Sequence, residues 1–465
     1  MKSLSKPILL FLLVSSLIAC SFPAPATPPT TYEARPTIIW PSATPTPTVT
    51  QTGTPTPTLT ATATPSATDT PVIPPTLTPT TLPRSLQLRV FEDVWSVVND
   101  YYLYPDFNGV DWAAVRAEFQ ARVEIGLDNA GFYTAMYEMI ARLGDEHSSY
   151  LSPEDVAHEE ANYLGNYDYV GIGVLHQPIP ERQRSVILSV FSASPAEAAG
   201  LKPRDAILSA DGVPILDEDG YYRDTIRGPA GTTITLTVQT PGDAVRQVTI
   251  TRQRITGAIT LPYQVLTSPN GLRVGYIFLF AFDDSTMDEQ VGEALYNMTA
   301  EGRLDGLILD LRMNGGGANT IVEPTLGYFT GGVVGNYIYR EEQRPLVIYD
   351  NDINGSLEIP LVVLVGSGTA SYGEIFAGVL QDSGRARIIG TATDGNVEVM
   401  WAYDFNDGSQ LWLASETFRP YYHPEVDWEV TGILPDEIVP GDFDENSLEN
   451  DPPVLAALAY FLTLP

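Results

Sequence analysis

PLVVLVGSGTASYGEIFAGVLQDSGRARIIGTA, residues 360–392, changes its period twice. The apolar run Ile359–Val365 ends at glycine and reads as a buried strand, Ile375–Leu380 reads as a helix, and residues 385–392 read as a second strand. Ser371 stands at the turn from strand to helix, where a serine is presented as a nucleophile if a base is near. Working outward, RVGYIFLF (273–280) is a strand and Met287–Glu301 a helix with Val291, Leu295 and Met298 inward. GLILDLR (306–312) is a buried strand, followed by the turn Asn314-Gly315-Gly316-Gly317 and another helical stretch. This alternation predicts an α/β core with parallel pairing, and such sheets place chemistry at the carboxyl ends of their strands. The start of the Ser371 helix favours developing negative charge. The glycine turn lets bare backbone approach a reacting atom, so the amides of Gly316 and Tyr372 are the predicted oxyanion donors. Singly, the serine is a helix cap and the glycines a tight turn. Together they favour acyl transfer.

Upstream, Ser85–Leu103 sets Leu88, Phe91, Trp95, Val98 and Tyr102 at helical spacing. Trp112–Ile125 and Ala130–Leu143 read as two further helices, the last stopped by Gly144. The loop GDEHSSYLSP, which carries His147, comes next. From Tyr169 to about Arg252 the chain turns to short β runs: YVGIGV (169–174), SVILSVF (185–191), DAILSADG (205–212) and TTITLTV (232–238). A short helix in SPAEAAGLKPRD ends at Gly200. This order resembles a circularly permuted bacterial PDZ domain, which binds a peptide by strand addition and holds its carboxylate on loop amides. The resemblance puts that loop at Gly171, Ile172 and Gly173. The alternative is a plain β module spacing two domains.

The 465 residues carry 58 Asp+Glu against 25 Lys+Arg, a net charge of −33. That excess argues against nucleic-acid or anionic-lipid partners. Lys2 and Lys6 precede the apolar run Ile8–Ile18, too short for a comfortable bilayer span and typical of a secretory signal. It ends Leu17-Ile18-Ala19-Cys20, which resembles the lipobox of bacterial lipoproteins. The resemblance implies lipid modification of Cys20, the only cysteine in the chain, and an extracytoplasmic place on a bacterial cell membrane. Residues 23–83 are Pro/Thr-rich and cannot bury enough apolar surface to fold, so a tether is expected. The expected divisions are a signal and lipobox (1–20), a tether (21–84), a helical domain (85–165), a PDZ-like domain (166–255) and an α/β core (256–465).

DLRMNGGG (310–317), GTASYGEIFAGVLQDSGRARIIG (368–390) and GILPDEIV (432–439) resemble the tail-specific, or C-terminal processing, serine proteases. The helical segment, inserted PDZ-like β domain and ClpP/crotonase-like protease core occur in that family's order, across about residues 85–440. The resemblance implies a serine endopeptidase acting on protein or peptide substrates.

One departure is chemical. These proteases activate serine with a lysine in a Gly-Lys-Gly turn and often a glutamine beyond it; the corresponding residues here are Asn396, in TDGNVEV (393–399), and Met400. An amide cannot take the proton. The chain's three lysines, Lys2, Lys6 and Lys202, all precede the serine. The related tricorn core proteases use Ser, His and Glu, and GDEHSSY and EVTGILPD (429–436) resemble their segments, which implies His147 as base and Glu429 as its orienting acid. A histidine near its ordinary pKa of about 6.5 suits that role. His423, in YYHPE (421–425), is a rival base for an esterase, and a catalytically inactive peptide-binding lipoprotein is a further alternative. His158 and His176 have no motif support and read as surface residues. No metal or organic cofactor is expected, because no His/Cys cluster has ligand spacing in the sequence.

Overall fold

The structure, a computed structural model, describes residues 81–464 apart from Glu146, Asn166, Ala258, Pro269 and Glu341. The signal, Cys20 and the expected tether as far as residue 80 lie outside the described residues.

Three helices open the chain: α1 (Arg84–Tyr101), α2 (Trp112–Glu124) and α3 (Asn129–Ala141). Val90, Phe91, Val94 and Val98 bury one stripe of α1, as helical spacing requires. Asp111 and Asp128 cap the next two helices by accepting from the amides of Ala114 and Gly131. The short β1 (Ser149–Leu151) and α4 (Pro153–Tyr163) follow.

The PDZ-like region holds β2 (Tyr167–Gly171), β3 (Val174–Ile179), β4 (Arg184–Val190), α5 (Pro195–Ala198), β5 (Ala206–Ala210), β6 (Val213–Pro214), β7 (Thr233–Gln239), β8 (Arg246–Thr251) and β9 (Gln253–Gly257). Its sheet runs β3-β4-β5-β7-β8, with β6 on β5, while β2 pairs with β9. YVGIGV is therefore not one strand. Gly173, at φ +83°, turns the chain between β2 and β3.

The α/β core starts at β10 (Tyr263–Thr267) and β11 (Arg273–Phe278), then α6 (Met287–Thr299), β12 (Gly306–Asp310) and α7 (Asn319–Gly327). After the hairpin β13 (Gly332–Tyr339) and β14 (Glu342–Ile348) come β15 (Leu361–Val365), α8 (Tyr372–Asp382) and β16 (Ala386–Gly390). The chain continues through β17 (Val399–Asp404), β18 (Gln410–Pro420), α9 (Trp428–Thr431), β19 (Glu437–Ile438) and α10 (Pro452–Phe461). The main sheet has the order β10-β11-β12-β15-β16-β19, parallel from β11 onward. Every residue of β12 and β15 is buried, which is why β15 is an unbroken apolar run and β12 is apolar up to the buried Asp310.

A second sheet, β1-β18-β13-β14 with β17 on β18, is not legible in the sequence. Its strand β18 packs against the helical segment expected over residues 85–165. Leu411, Leu413 and Ala414 of β18 share one core with Phe91, Phe119, Phe132 and Tyr150. The segment carrying His147 is thereby fastened to the α/β core.

Candidate active site

β12 and β15 are parallel neighbours, so the glycine turn and the Ser371 turn leave the sheet side by side. Several bonds lock them together. The Ala370 amide donates to the Asn314 carbonyl (2.9 Å) and the Thr369 hydroxyl to the Leu311 carbonyl (2.7 Å). Asn314, wholly buried, donates its side-chain amide to the Leu279 carbonyl (2.9 Å). Gly316, at φ +101°, lies directly against the serine: a Cβ there would stand 2.7 Å from Ser371 Cβ and 3.1 Å from its Oγ.

Ser371 has φ 52° and ψ −127°, and its side chain does not cap α8. This backbone region costs a non-glycine residue about 1–3 kcal/mol and persists only where the surroundings enforce it. The helix-cap reading of the serine is therefore displaced by a strained elbow. Tyr372 begins α8, so its amide has no intrahelical acceptor. The Gly316 amide already donates to Asn314 Oδ1 (2.9 Å), and serving an oxyanion would require that bond to be exchanged.

Glu374, three residues after the serine and fully buried, escaped the sequence reading. It accepts from Thr393 Oγ1 and from the amides of Gly395 (2.9 Å) and Asn396 (2.7 Å). Burial pushes its carboxyl up, and these donors oppose the shift. The next amide, Val397, donates to Glu429 Oε2 (2.7 Å). Two carboxylates thus hold successive amides of one loop, tying Glu429 to the first turn of α8. Asn396 contributes to this through its backbone amide.

His147 meets Glu429 from a segment far earlier in the chain. Asp145 accepts from the amides of His147 (3.1 Å) and Ser148 (2.6 Å) and from the Tyr102 hydroxyl (2.6 Å). The Ala414 amide of β18 donates to Ser148 Oγ (3.1 Å), fixing the loop to the second sheet. His147 Nε2 lies 3.6 Å from Glu429 Oε1 and 3.6 Å from Glu398 Oε2. Burial works against the charged imidazole, but the two glutamates outweigh it and raise its pKa above the ordinary 6.5. Glu398 was also missed by the sequence reading. Burial pushes its carboxyl up, against a hydrogen bond from Tyr104 and the nearness of His147.

The other histidines lie elsewhere. His423 is exposed and its Nδ1 lies 2.7 Å from Asp382 Oδ1, at the last residue of α8. That end of the helix is about 16 Å from Ser371 at 1.5 Å per residue, so His423 is not assembled with the serine. His158 is exposed on α4. His176 corrects its surface assignment: it is half-buried, with Nδ1 2.7 Å from Ser185 Oγ and its ring 4.7 Å from Tyr222.

In the PDZ-like region, Gly171 lies within β2, opposite Gln253. Ile172 is buried and its carbonyl accepts from the Ala196 amide (2.9 Å), while the Gly173 carbonyl accepts from the Phe191 amide (3.1 Å). The loop is thus held by its carbonyls. Tyr169 lies against it and carries the exposed Arg227 guanidinium 5.1 Å from its ring centre. β3 is the last strand of its sheet, bonded to β4 alone.

A serine on a strained strand-to-helix turn of a largely parallel sheet, with a PDZ-like module inserted before it, defines a serine peptidase architecture. Residues 273–439 match peptidase family S41, 186–240 a PDZ domain and 88–141 the tricorn protease C1 domain. The chain is 31% identical over 361 residues to a carboxyl-terminal-processing protease of Picosynechococcus sp., covering 74% of this chain and 81% of that protein. Its identity to the Synechocystis sp. protein of the same description is 32% over 351 residues, covering 74% and 79%. Among solved structures it resembles a photosystem II D1 C-terminal processing protease, with TM-score 0.52 and 25% identity over 76% of this chain and 92% of that one. The protein is a serine-type peptidase. It belongs to the carboxyl-terminal-processing protease family.

Proposed function

We propose that this peptidase works through Ser371, His147 and Glu429 rather than through a serine–lysine pair. Neutral His147 accepts the Ser371 proton as the hydroxyl attacks a peptide carbonyl, and Glu429 stabilises the imidazolium. The amides of Tyr372 and Gly316 then hold the oxyanion, Gly316 after giving up Asn314. Protonated His147 next delivers its proton to the leaving amine, and water repeats the cycle on the acyl-enzyme. One observation carries this reading. The strained Ser371 begins the helix whose Glu374 shares a loop with Glu429, and Glu429 faces His147.

The substrates proposed are proteins presented as extended segments. Their free C-termini would sit at Gly171–Gly173 beside Arg227, and their strands would add to β3. An extracytoplasmic enzyme, held to a bacterial membrane through a lipid on Cys20, completes the proposal and rests on the sequence of residues 1–20.

A fluorophosphonate probe with a peptide-hydrolysis assay tests the site. Wild type is expected to label and cleave, and Ser371→Ala to do neither. His147→Ala and Glu429→Ala are expected to lose activity while His423→Ala keeps it. Absence of labelling in folded wild-type protein would favour a binding protein, and loss of turnover only in His423→Ala would favour the esterase.

A further inference from the structure

His147, Glu398 and Glu429 come from three segments distant in sequence, yet one nitrogen and two carboxylate oxygens converge within 4.8 Å of one another. Both carboxylate oxygens are 3.6 Å from His147 Nε2. A tetrahedral Zn²⁺ with bonds of about 2.0–2.2 Å sets its ligand atoms about 3.4 Å apart. The two separations from the imidazole nearly match that value before any side chain moves.

The second oxygens of the two glutamates are anchored as the outer atoms of metal ligands usually are, and the His147 loop is fixed through its backbone. Glu398 Oε1 accepts from the Tyr104 hydroxyl, Glu429 Oε2 accepts from the Val397 amide (2.7 Å), and Asp145 holds the His147 backbone. An independent observation points to a missing partner. Glu398 is 4% exposed, and its Oε2, the oxygen facing His147, has no hydrogen-bond partner. A buried carboxylate oxygen without a donor is unfavourable, and a cation satisfies it. Among the described residues neither glutamate pairs with an arginine or lysine; their ion-pair contacts are with His147 alone. An imidazole with two carboxylates suits Zn²⁺ rather than Mg²⁺ or Ca²⁺, which take oxygen sets.

We infer that His147, Glu398 and Glu429 form a Zn²⁺ site whose occupation turns the peptidase off. The inhibitory half rests on the proposed role of His147. An imidazole whose Nε2 lone pair binds a cation keeps its proton on Nδ1 and has no lone pair left for the serine proton. The same ion also takes the Glu429 oxygen that faces the ring. Release of the ion restores the base.

Binding is measured on the Ser371→Ala protein, so zinc uptake does not depend on catalysis. Titration against a chromophoric zinc chelator is expected to show one ion per chain. Glu398→Gln, Glu429→Gln and His147→Asn, each confirmed folded by its thermal unfolding, are expected to weaken binding at least about tenfold. His423→Ala, which breaks a different histidine–carboxylate pair, is expected to leave it unchanged. In the second arm, wild-type hydrolysis falls about tenfold or more with zinc sulfate and recovers with EDTA. Glu398→Gln, compared with its own zinc-free rate, needs at least about tenfold more zinc for half inhibition. No uptake against the chelator, or equal uptake by the folded variants, overturns the site. Uptake without inhibition overturns the switch. Failure of Ser371 to label would instead sink the peptidase mechanism and leave the zinc titration standing.

Discussion

Replacing Gly316 by alanine isolates the contact on which the serine's placement depends. The new methyl would stand 2.7 Å from Ser371 Cβ and 3.1 Å from both Ser371 Oγ and the Ala370 carbonyl oxygen. Ordinary contact begins near 3.4 Å, so about 0.7 Å must be recovered by moving Ser371 or the glycine turn. Alanine at φ +101° adds backbone strain of about 1–3 kcal/mol. A 1 Å misplacement of a reacting group costs about 10²-fold, and loss of one oxyanion donor costs about 10²–10³-fold. Gly316→Ala is therefore expected to lower kcat/KM by at least about 10²-fold, or about 2.7 kcal/mol of barrier, while unfolding free energy falls by about 1–3 kcal/mol. Gly315→Ala is the control: its Cβ would meet nothing within 4 Å and its φ is not positive. It should keep activity within about threefold of wild type, a barrier change under 1 kcal/mol. Peptide hydrolysis and urea unfolding of both variants decide the matter. Comparable activity losses in the two, or near-wild-type activity in Gly316→Ala, would refute the geometry.

Three further outcomes follow from other parts of the fold. Asp451, wholly buried, accepts from Arg204 (2.7 Å) and Arg312 (2.7 Å), joining the PDZ-like region, the end of β12 and the start of α10. Asp451→Ala leaves Asp310 as the only carboxylate among the described residues facing the two buried guanidiniums and should cost about 3–5 kcal/mol in urea unfolding; a loss below 1 kcal/mol would show that water reaches the network. Burial and the nearby Arg227 lower the His176 pKa from 6.5 to about 4. The unfolded chain thus binds a proton that the folded chain refuses, and stability drops as pH falls from about 6.5 toward 4. His176→Gln should remove about 2 kcal/mol of the stability difference between pH 7 and 4.5, and an unchanged difference would place that titration elsewhere. Arg227→Ala should raise KM about tenfold for a peptide with a free C-terminus and leave its C-terminally amidated counterpart unaffected; equal effects on both would argue against carboxylate recognition at that loop.

Periodicity and punctuation carried most of the architecture. Apolar runs such as LVVLV and GLILD, bounded by turn residues, read as strands buried on both faces, because a parallel sheet covered by helices leaves no polar side. The serine turn and the glycine turn were legible for the same reason: strand, glycine and helix start are local signals. Local reasoning reached its limit at the second sheet. β18 pairs with β1 at one end and β13 at the other, and nothing near Gln410–Pro420 announces partners so far away in sequence.

Glu374 and Glu398 stayed hidden because a buried acid and a solvated acid look identical in a string of letters. Their roles depend on which amides, hydroxyls and rings surround them. By itself the sequence determined an α/β serine peptidase core, an early helical module, a PDZ-like insertion and the absence of a lysine at residue 396. Only the tertiary structure decided the setting of the imidazole: it packed the helical module onto β18, set His147 between two glutamates and left His423 at the far end of α8. The physical reason is that strand and helix signals come from neighbouring residues, whereas the environment of a charged or basic group is made by segments that meet only when the core closes.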